Sequence, residues 1–280
     1  MSVSIFVPAH ITGFFSIKDN EDPLKKGSTG VGVLLDKGVR TSIKLTSNDE
    51  TSIKINGKVD NYNQNIILKV LELMNIDHGV KISQEIQVPV GAGFGTSAAS
   101  ALSTAIGLSE LLDLNRNLTE SGQTAHLAEV SLGSGLGDVS AQFGRGIVIR
   151  KKPGAPGICE IESIEQDLYV GCRSFGEIST SSIINDPYYK RIICDIGREI
   201  QEKFMKVRTA KSFIEKSLEF SQRTNLITDE IKSYSEDLND GNGILGSSMA
   251  MIGNTIFTLS NNKESLSGMD IYKINNEGIR

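Results

Sequence analysis

The stretch PVGAGFGTSAAS, residues 89–100, alternates three glycines with Ala92 and Phe94 ahead of two hydroxyl residues and a run of small ones. Glycine loses more conformational freedom on folding than any other residue, so a cluster of it implies a backbone that must reach shapes or approaches closed to side chains. Backbone N–H groups drawn close to an anion, with a helix N-terminus behind them, form a phosphate cradle. Neither common nucleotide fingerprint is present. No Lys follows Gly95, as a P-loop requires, and Thr96 stands where a dinucleotide-binding turn places its third Gly. A tight strand-to-helix turn accounts for one of these glycines, but not for three followed by two hydroxyls.

Other stretches carry chemistry of their own. AEVSLGSGLGDVSAQFGRG, residues 128–146, sets Glu129 and Asp138 on either side of a glycine-rich turn. Two carboxylates brought together this way suit one metal ligand and one proton acceptor. On composition alone, two solvated surface acids read as well. GILGSSMAMIGN, residues 243–254, reads either as a third glycine-bearing piece of a site or as a buried turn with Met249 and Met251 in the core. PAHITGFF, residues 8–15, places His10 and Thr12 beside Phe14 and Phe15. A lone His is more often structural, since either ring nitrogen readily satisfies a local hydrogen bond. Ser28, Arg145 and Arg150 add a hydroxyl and two guanidinium groups, whose planar fork matches a carboxylate, whereas Lys25 and Lys26 read as solvated.

These residues need a frame. Ser2–Val7 and Ile11–Ile17 read as two extended stretches, 19–30 as a loop, and Val31–Leu35 with Arg40–Thr46 as paired strands. A helix is expected over Asn61–Asn75, a strand over Val80–Val88, and a helix over Ser97–Leu112 with an apolar stripe and Thr96 or Ser97 as N-cap. Thr119 is expected to cap a helix running to Leu132. Strands follow at Gly146–Ile149, Ile158–Ile164, Leu168–Phe175, Asn254–Ser260 and Asp270–Ile274. Ile192, Ile196, Ile200 and Phe204 fall at four-residue steps and predict an amphipathic helix over Tyr188–Val207, with helices at Phe213–Gln222 and Leu226–Leu238 after it. Strands and helices intermix without strict alternation, which predicts an α+β fold. The turn-rich KKPGAPG places a domain boundary between residues 155 and 156.

The 280 residues allow one large or two modest domains. A net charge of −5 draws the molecule to neither nucleic acid nor anionic membrane, so an anionic ligand must be held by a local patch. No apolar run approaches the ~20 residues of a membrane span. Cys159, Cys172 and Cys194 are odd in number and widely spaced, which fits buried thiols in a reducing cytoplasm better than a disulfide framework.

Residues 89–99 resemble the P-x-G-x-G-L-G-S-S-A-A signature of the GHMP kinases, with Phe94 for Leu and Thr96 for Ser. PAHITGFF, DNEDPLKKGSTGVGV, AEVSLGSGLGDVSAQ and KKPGAPG together resemble an archaeal branch of that superfamily that phosphorylates pantoate. The resemblance implies a two-domain α+β fold with the active site in the cleft between domains, 1–155 holding ATP and 156–280 forming a C-terminal domain. It implies ATP on Pro89, Gly91, Ala92, Gly93, Phe94, Gly95, Thr96 and Ser97, and Mg²⁺ on Ser97 and Glu129. Asp138 then faces the acceptor hydroxyl, with His10 as a second catalytic group. Acceptor contacts fall to His10, Thr12, Phe14, Ser28, Arg145 and Arg150. Pantoate and ATP are the expected partners, with no nucleic acid or membrane, and a homodimer is admitted. Two alternatives stay open: another small alcohol as acceptor, homoserine- or mevalonate-like, or a non-catalytic homologue acting as a sensor.

Overall fold

The computed structural model describes residues 2–47, 50–59, 64–176, 186–238 and 242–280. Two sheets and the helices between and around them make up an α+β fold. The first sheet runs β3 (Ser52–Ile55), β4 (Val80–Ile86), β2 (Gly27–Leu45), β5 (Ile147–Lys152), β6 (Glu160–Ile164), with β1 (Ser2–Lys18) along the other edge of β2. All its pairings are antiparallel except β3 with β4. The second sheet is antiparallel, in the order β10 (Asp270–Lys273), β7 (Tyr169–Ser174), β9 (Thr255–Ser260), β8 (Ile244–Met249). β6 lies beyond the 155/156 division yet pairs with β5, so the first sheet extends to Ile164.

β1 is one continuous strand where two short stretches were expected. Its residues are buried without alternation from Ile5 to Ile17, because α2 packs on it as well as two helices of the C-terminal half. Pro8 and Gly13 do not break it. They fall where the register with β2 shifts, between Pro8 and His10 and between Thr12 and Phe14. Irregularities of this kind re-aim side chains, here His10 and Thr12. β2 is likewise one long strand, beginning inside the expected loop.

α1 (Asn65–Leu73) covers part of the expected first helix; residues 61–63 of that expectation lie outside the described residues. α2 (Thr96–Leu111) is the central helix and is buried nearly all round rather than along one stripe. Its polar residues tolerate burial because they bond back into the helix: Ser103 to the Ala99 carbonyl at 2.7 Å, Thr104 to Ser100 at 2.7 Å and Ser109 to Ala105 at 2.8 Å. α3 (Leu118–Leu132) is capped by Asn117, not Thr119, through a reciprocal capping box with Glu120, and it ends on Gly133 in the left-handed region. α4 (Asp138–Ala141) is one short turn. α5 (Pro187–Phe204), α6 (Ala210–Arg223) and α7 (Asp229–Leu238) form the helical block. β8 (ILGSSM) was not expected as a strand, because residues 240–246, DGNGILG, read as a glycine-rich stretch; residues 240–241 of it lie outside the described residues.

Candidate active site

Gly91, Gly93 and Gly95 take φ values of +72°, +88° and +61°, a left-handed turn at every second residue that side chains rarely allow. The intervening Ala92 and Phe94 are buried, Phe94 edge-on to the Tyr272 ring at 6.1 Å. Anchored in this way, Gly91, Gly93, Phe94 and Gly95 line a cleft of about 740 Å³ together with Thr96, Ser97 and Ala98, while Ala92 lies buried outside the lining. α2 begins with no side-chain cap at Gly95, so neither Thr96 nor Ser97 satisfies its first amides. The expected capping hydroxyl is turned elsewhere: Ser97 Oγ donates to Glu129 Oε1 at 2.5 Å.

Glu129, near the end of α3, is only 2% exposed. Ser134 Oγ donates to the same carboxylate oxygen at 2.6 Å. Burial pushes the Glu129 carboxyl up to about 7; the two serine donors work against this, and the nearby Asp138 charge adds to it. A buried carboxylate flanked by two hydroxyls, with no cationic side chain in salt-bridge contact among the described residues, is a set of hard oxygen donors that fits Mg²⁺. No cluster of three or more His, Cys, Asp or Glu able to cage a metal exists among the described residues.

Asp138 begins α4 and keeps 28% of its side chain open. Its Oδ1 lies 2.6 Å from His10 Nδ1. On the far side of the ring, His10 Nε2 faces Arg150 Nη1 at 3.5 Å, and Arg150 Nη2 reaches Thr12 Oγ1 at 3.5 Å. A guanidinium only donates, so Nε2 must accept, and the ring proton sits on Nδ1, where it is donated to Asp138. Burial keeps the His10 imidazole neutral, aided by the adjacent Arg150 charge. Burial alone would raise the Asp138 carboxyl. The His10 hydrogen bond and the Arg150 charge outweigh it and hold Asp138 below the usual carboxylate range.

Arg150 is 2% exposed, lines the cleft, pairs with no carboxylate among the described residues and leaves its Nε without a partner. A buried, unpaired guanidinium in a cleft wall suits a ligand carboxylate. Thr12 and Ser28 line the same cleft. Phe14 does not. It is fully buried, between Phe204 and Phe213, and its neighbour Phe15 lines the cleft in its place. Arg145 is exposed, away from the cleft lining, and Pro89 is half-buried outside it. The turn after β8 closes the floor: Met251 N donates to the Thr12 carbonyl at 2.9 Å, and a Cβ on Gly253 would lie 2.2 Å from the Ala92 carbonyl.

Sequence reasoning missed Ser134, whose only signal was a hydroxyl five residues after Glu129. It also missed the apolar wall of Ile66, Ile86 and Val90, which reads as ordinary core. Together, amides fit for phosphate, an oxygen set fit for a cation, an ionised carboxylate and an unpaired guanidinium share one cleft, an arrangement suited to phosphoryl transfer onto an alcohol that carries an anionic group.

Comparison with known proteins agrees. Residues 61–146 match the model of the GHMP kinases N terminal domain. The chain is 38% identical to the pantoate kinase of Methanocaldococcus jannaschii over 94% of either chain. It is 32% identical to that of Thermococcus kodakarensis, over 95% of this chain and 90% of the other. A solved structure described as a phosphotransferase related to the CoA biosynthesis pathway superposes with a TM-score of 0.88 at 31% identity, over 100% of this chain and 98% of that one.

Proposed function

This chain belongs to the pantoate kinase branch of the GHMP kinases, and we propose that it phosphorylates the primary hydroxyl of pantoate with ATP as donor, feeding coenzyme A synthesis. The observation that carries the reading is the meeting of Asp138 and Arg150 in one cleft beside the glycine loop. Pantoate has a carboxylate at one end, a primary hydroxyl at the other and a dimethyl carbon between. Arg150 supports the carboxylate, with Thr12 and Ser28 for its hydroxyl neighbour, and Phe15 walls the dimethyl carbon. Asp138 meets the primary hydroxyl.

The amides of 91–97 hold the polyphosphate at the start of α2. Ser97 and Glu129 would hold Mg²⁺ beside it, and when bound the cation neutralises charge on the phosphate oxygens. Asp138, kept ionised by His10, orients the hydroxyl and takes its proton as the oxygen–phosphorus bond forms and the bond to the ADP oxygen breaks. Positioning and charge neutralisation supply most of the acceleration. The three cysteines are free thiols and no described helix is long and apolar enough to cross a membrane, which supports the cytoplasmic part of the reading; a homodimer completes it.

The test is ADP release from ATP with a panel of acceptors (pantoate, homoserine, mevalonate), followed by ³¹P NMR of the product. Pantoate is expected to give the highest kcat/KM, with phosphate on the primary oxygen. A higher kcat/KM for either other alcohol reassigns the acceptor, and ATP binding without turnover on any of them makes the protein a sensor.

A further inference from the structure

Gln142 follows α4 as its C-cap, four residues after Asp138, and is wholly buried. Its Nε2 donates to the Gly95 carbonyl at 3.1 Å, while its Oε1 has no hydrogen-bond partner among the described residues. Turning the amide over would set two oxygens face to face and leave a donor unpaired instead, so neither orientation satisfies both atoms. The Gly95 carbonyl does not need this bond, because it already accepts the first α2 bond from Ala99 N at 3.1 Å. A buried amide left half-satisfied, bonded to a carbonyl already served, weakens the fold rather than strengthening it.

What the bond does is join the last glycine of the loop to the element that begins with Asp138. A second tie runs beside it. His10 N donates to the Phe94 carbonyl at 3.0 Å while the ring of the same residue holds Asp138 at 2.6 Å. Between the two ties there is little slack: a Cβ on Gly95 would lie 3.3 Å from Asp138 Oδ1.

We propose that Gln142 is a positioning residue for phosphoryl transfer: with His10 it clamps Phe94 and Gly95 against α4 and so fixes the separation between the phosphate loop and the carboxylate that receives the acceptor proton. The proposal rests on the kinase reading above. In-line transfer needs reacting atoms about 3–3.5 Å apart, and a misplacement of about 1 Å costs on the order of 10²-fold in rate. Acceptor and nucleotide keep their own contacts, at Arg150 and along the loop, so loosening the clamp falls on turnover rather than on binding.

Gln142→Met keeps the length and volume of the side chain and removes both amide atoms; Gln142→Leu is the second variant. Both are expected to lower kcat by about 10- to 100-fold, with KM for pantoate and for ATP within about threefold of wild type. Their Tm is expected at or above the wild-type value, because the unpaired acceptor is gone. Wild-type kcat in both variants overturns the proposal. So does a joint fall of Tm, kcat and affinity, which marks a purely structural residue. The wild-type enzyme is assayed first. If it leaves pantoate untouched, the kinase reading fails on its own, and the clamp is then read from a crystal structure of Gln142→Met without substrates. Gly95 drawn away from Asp138 supports it, and an unchanged contact overturns it.

Discussion

One imidazole serves two charged groups: His10 gives its Nδ1 proton to Asp138 and presents Nε2 to Arg150. The arrangement keeps the acid ionised and leaves the guanidinium without a carboxylate partner among the described residues, so the main effect of each substitution falls on a different kinetic constant. Asp138→Asn keeps the shape but no longer accepts a proton, and kcat is expected to fall by at least ~10²-fold, with little change in pantoate KM. Arg150→Met removes a buried cation that has no carboxylate partner within the described protein. Its effect is expected on KM for pantoate, up about 10- to 100-fold, the scale of a lost charge-assisted hydrogen bond, while Tm stays near wild type. Saturation kinetics in pantoate at fixed ATP read both. A fall in kcat alone for Arg150→Met would move the guanidinium from acceptor binding to the support of Asp138 or to the transferring phosphate, the former marked by a kcat–pH profile shifted upward.

The elements were legible in the sequence to the degree that one side of each faces water. α5 shows its apolar steps because its other face is solvated, although the buried row is Ile193, Gly197, Ile200 and Phe204, with Ile192 and Ile196 on its flank. β1 hides its length because helices bury it on both faces, and Pro8 and Gly13 then read as breaks instead of register shifts. The phosphate loop was legible because its backbone demand is written directly in glycine. His10 was named from its own motif, but its pairing with Asp138 was not legible, since the two lie 128 residues apart and only the fold brings them together. The close packing of the loop on the turn after β8 gives a prediction of its own. Gly253 is not in the left-handed region, so Gly253→Ala acts by contact alone, pushing on the Ala92 carbonyl. An overpacking penalty of about 1–3 kcal/mol is expected, divided between ATP affinity by calorimetry and stability by denaturant melt. In the helical block, Glu199 binds Arg223 at 2.5 Å and Lys203 at 2.8 Å, which holds its carboxyl at about 2. Because that value lies below the ordinary carboxylate range, the pair stabilises above about pH 5 and the gain is lost as pH falls toward 2. The Tm difference between wild type and Glu199→Gln should therefore shrink steadily between pH 5 and pH 2, and should shrink with salt at neutral pH, since the pair is solvent-exposed.

At the scale of the whole molecule, the cleft exists because two sheets share one core instead of owning one each. Phe14 of β1 meets Phe204 of α5 at 5.7 Å and Phe213 of α6 at 6.3 Å, and Phe213 meets Phe257 of β9 at 5.9 Å. That chain of rings runs from the first sheet through the helical block to the second. The C-terminal segment adds a backbone tie, Phe6 with Arg280 in both directions, at 2.6 and 3.0 Å. His10 and Thr12 ride on the same strand as Phe14, so whatever holds β1 against α6 also sets the floor under the phosphate loop. Phe213 is fully buried at the middle of the chain of rings. Phe213→Ala should cost about 3–5 kcal/mol, the usual toll of emptying an aromatic site in a packed core. With a shared core, that loss is felt by both sheets at once, and wild type and variant should each unfold in one transition, with far-UV circular dichroism and loss of ATP binding tracing the same urea curve. Two separated transitions, the variant shifting only the second, would mean that the sheets fold as independent halves and that β1 takes its place over the cleft without help from α6.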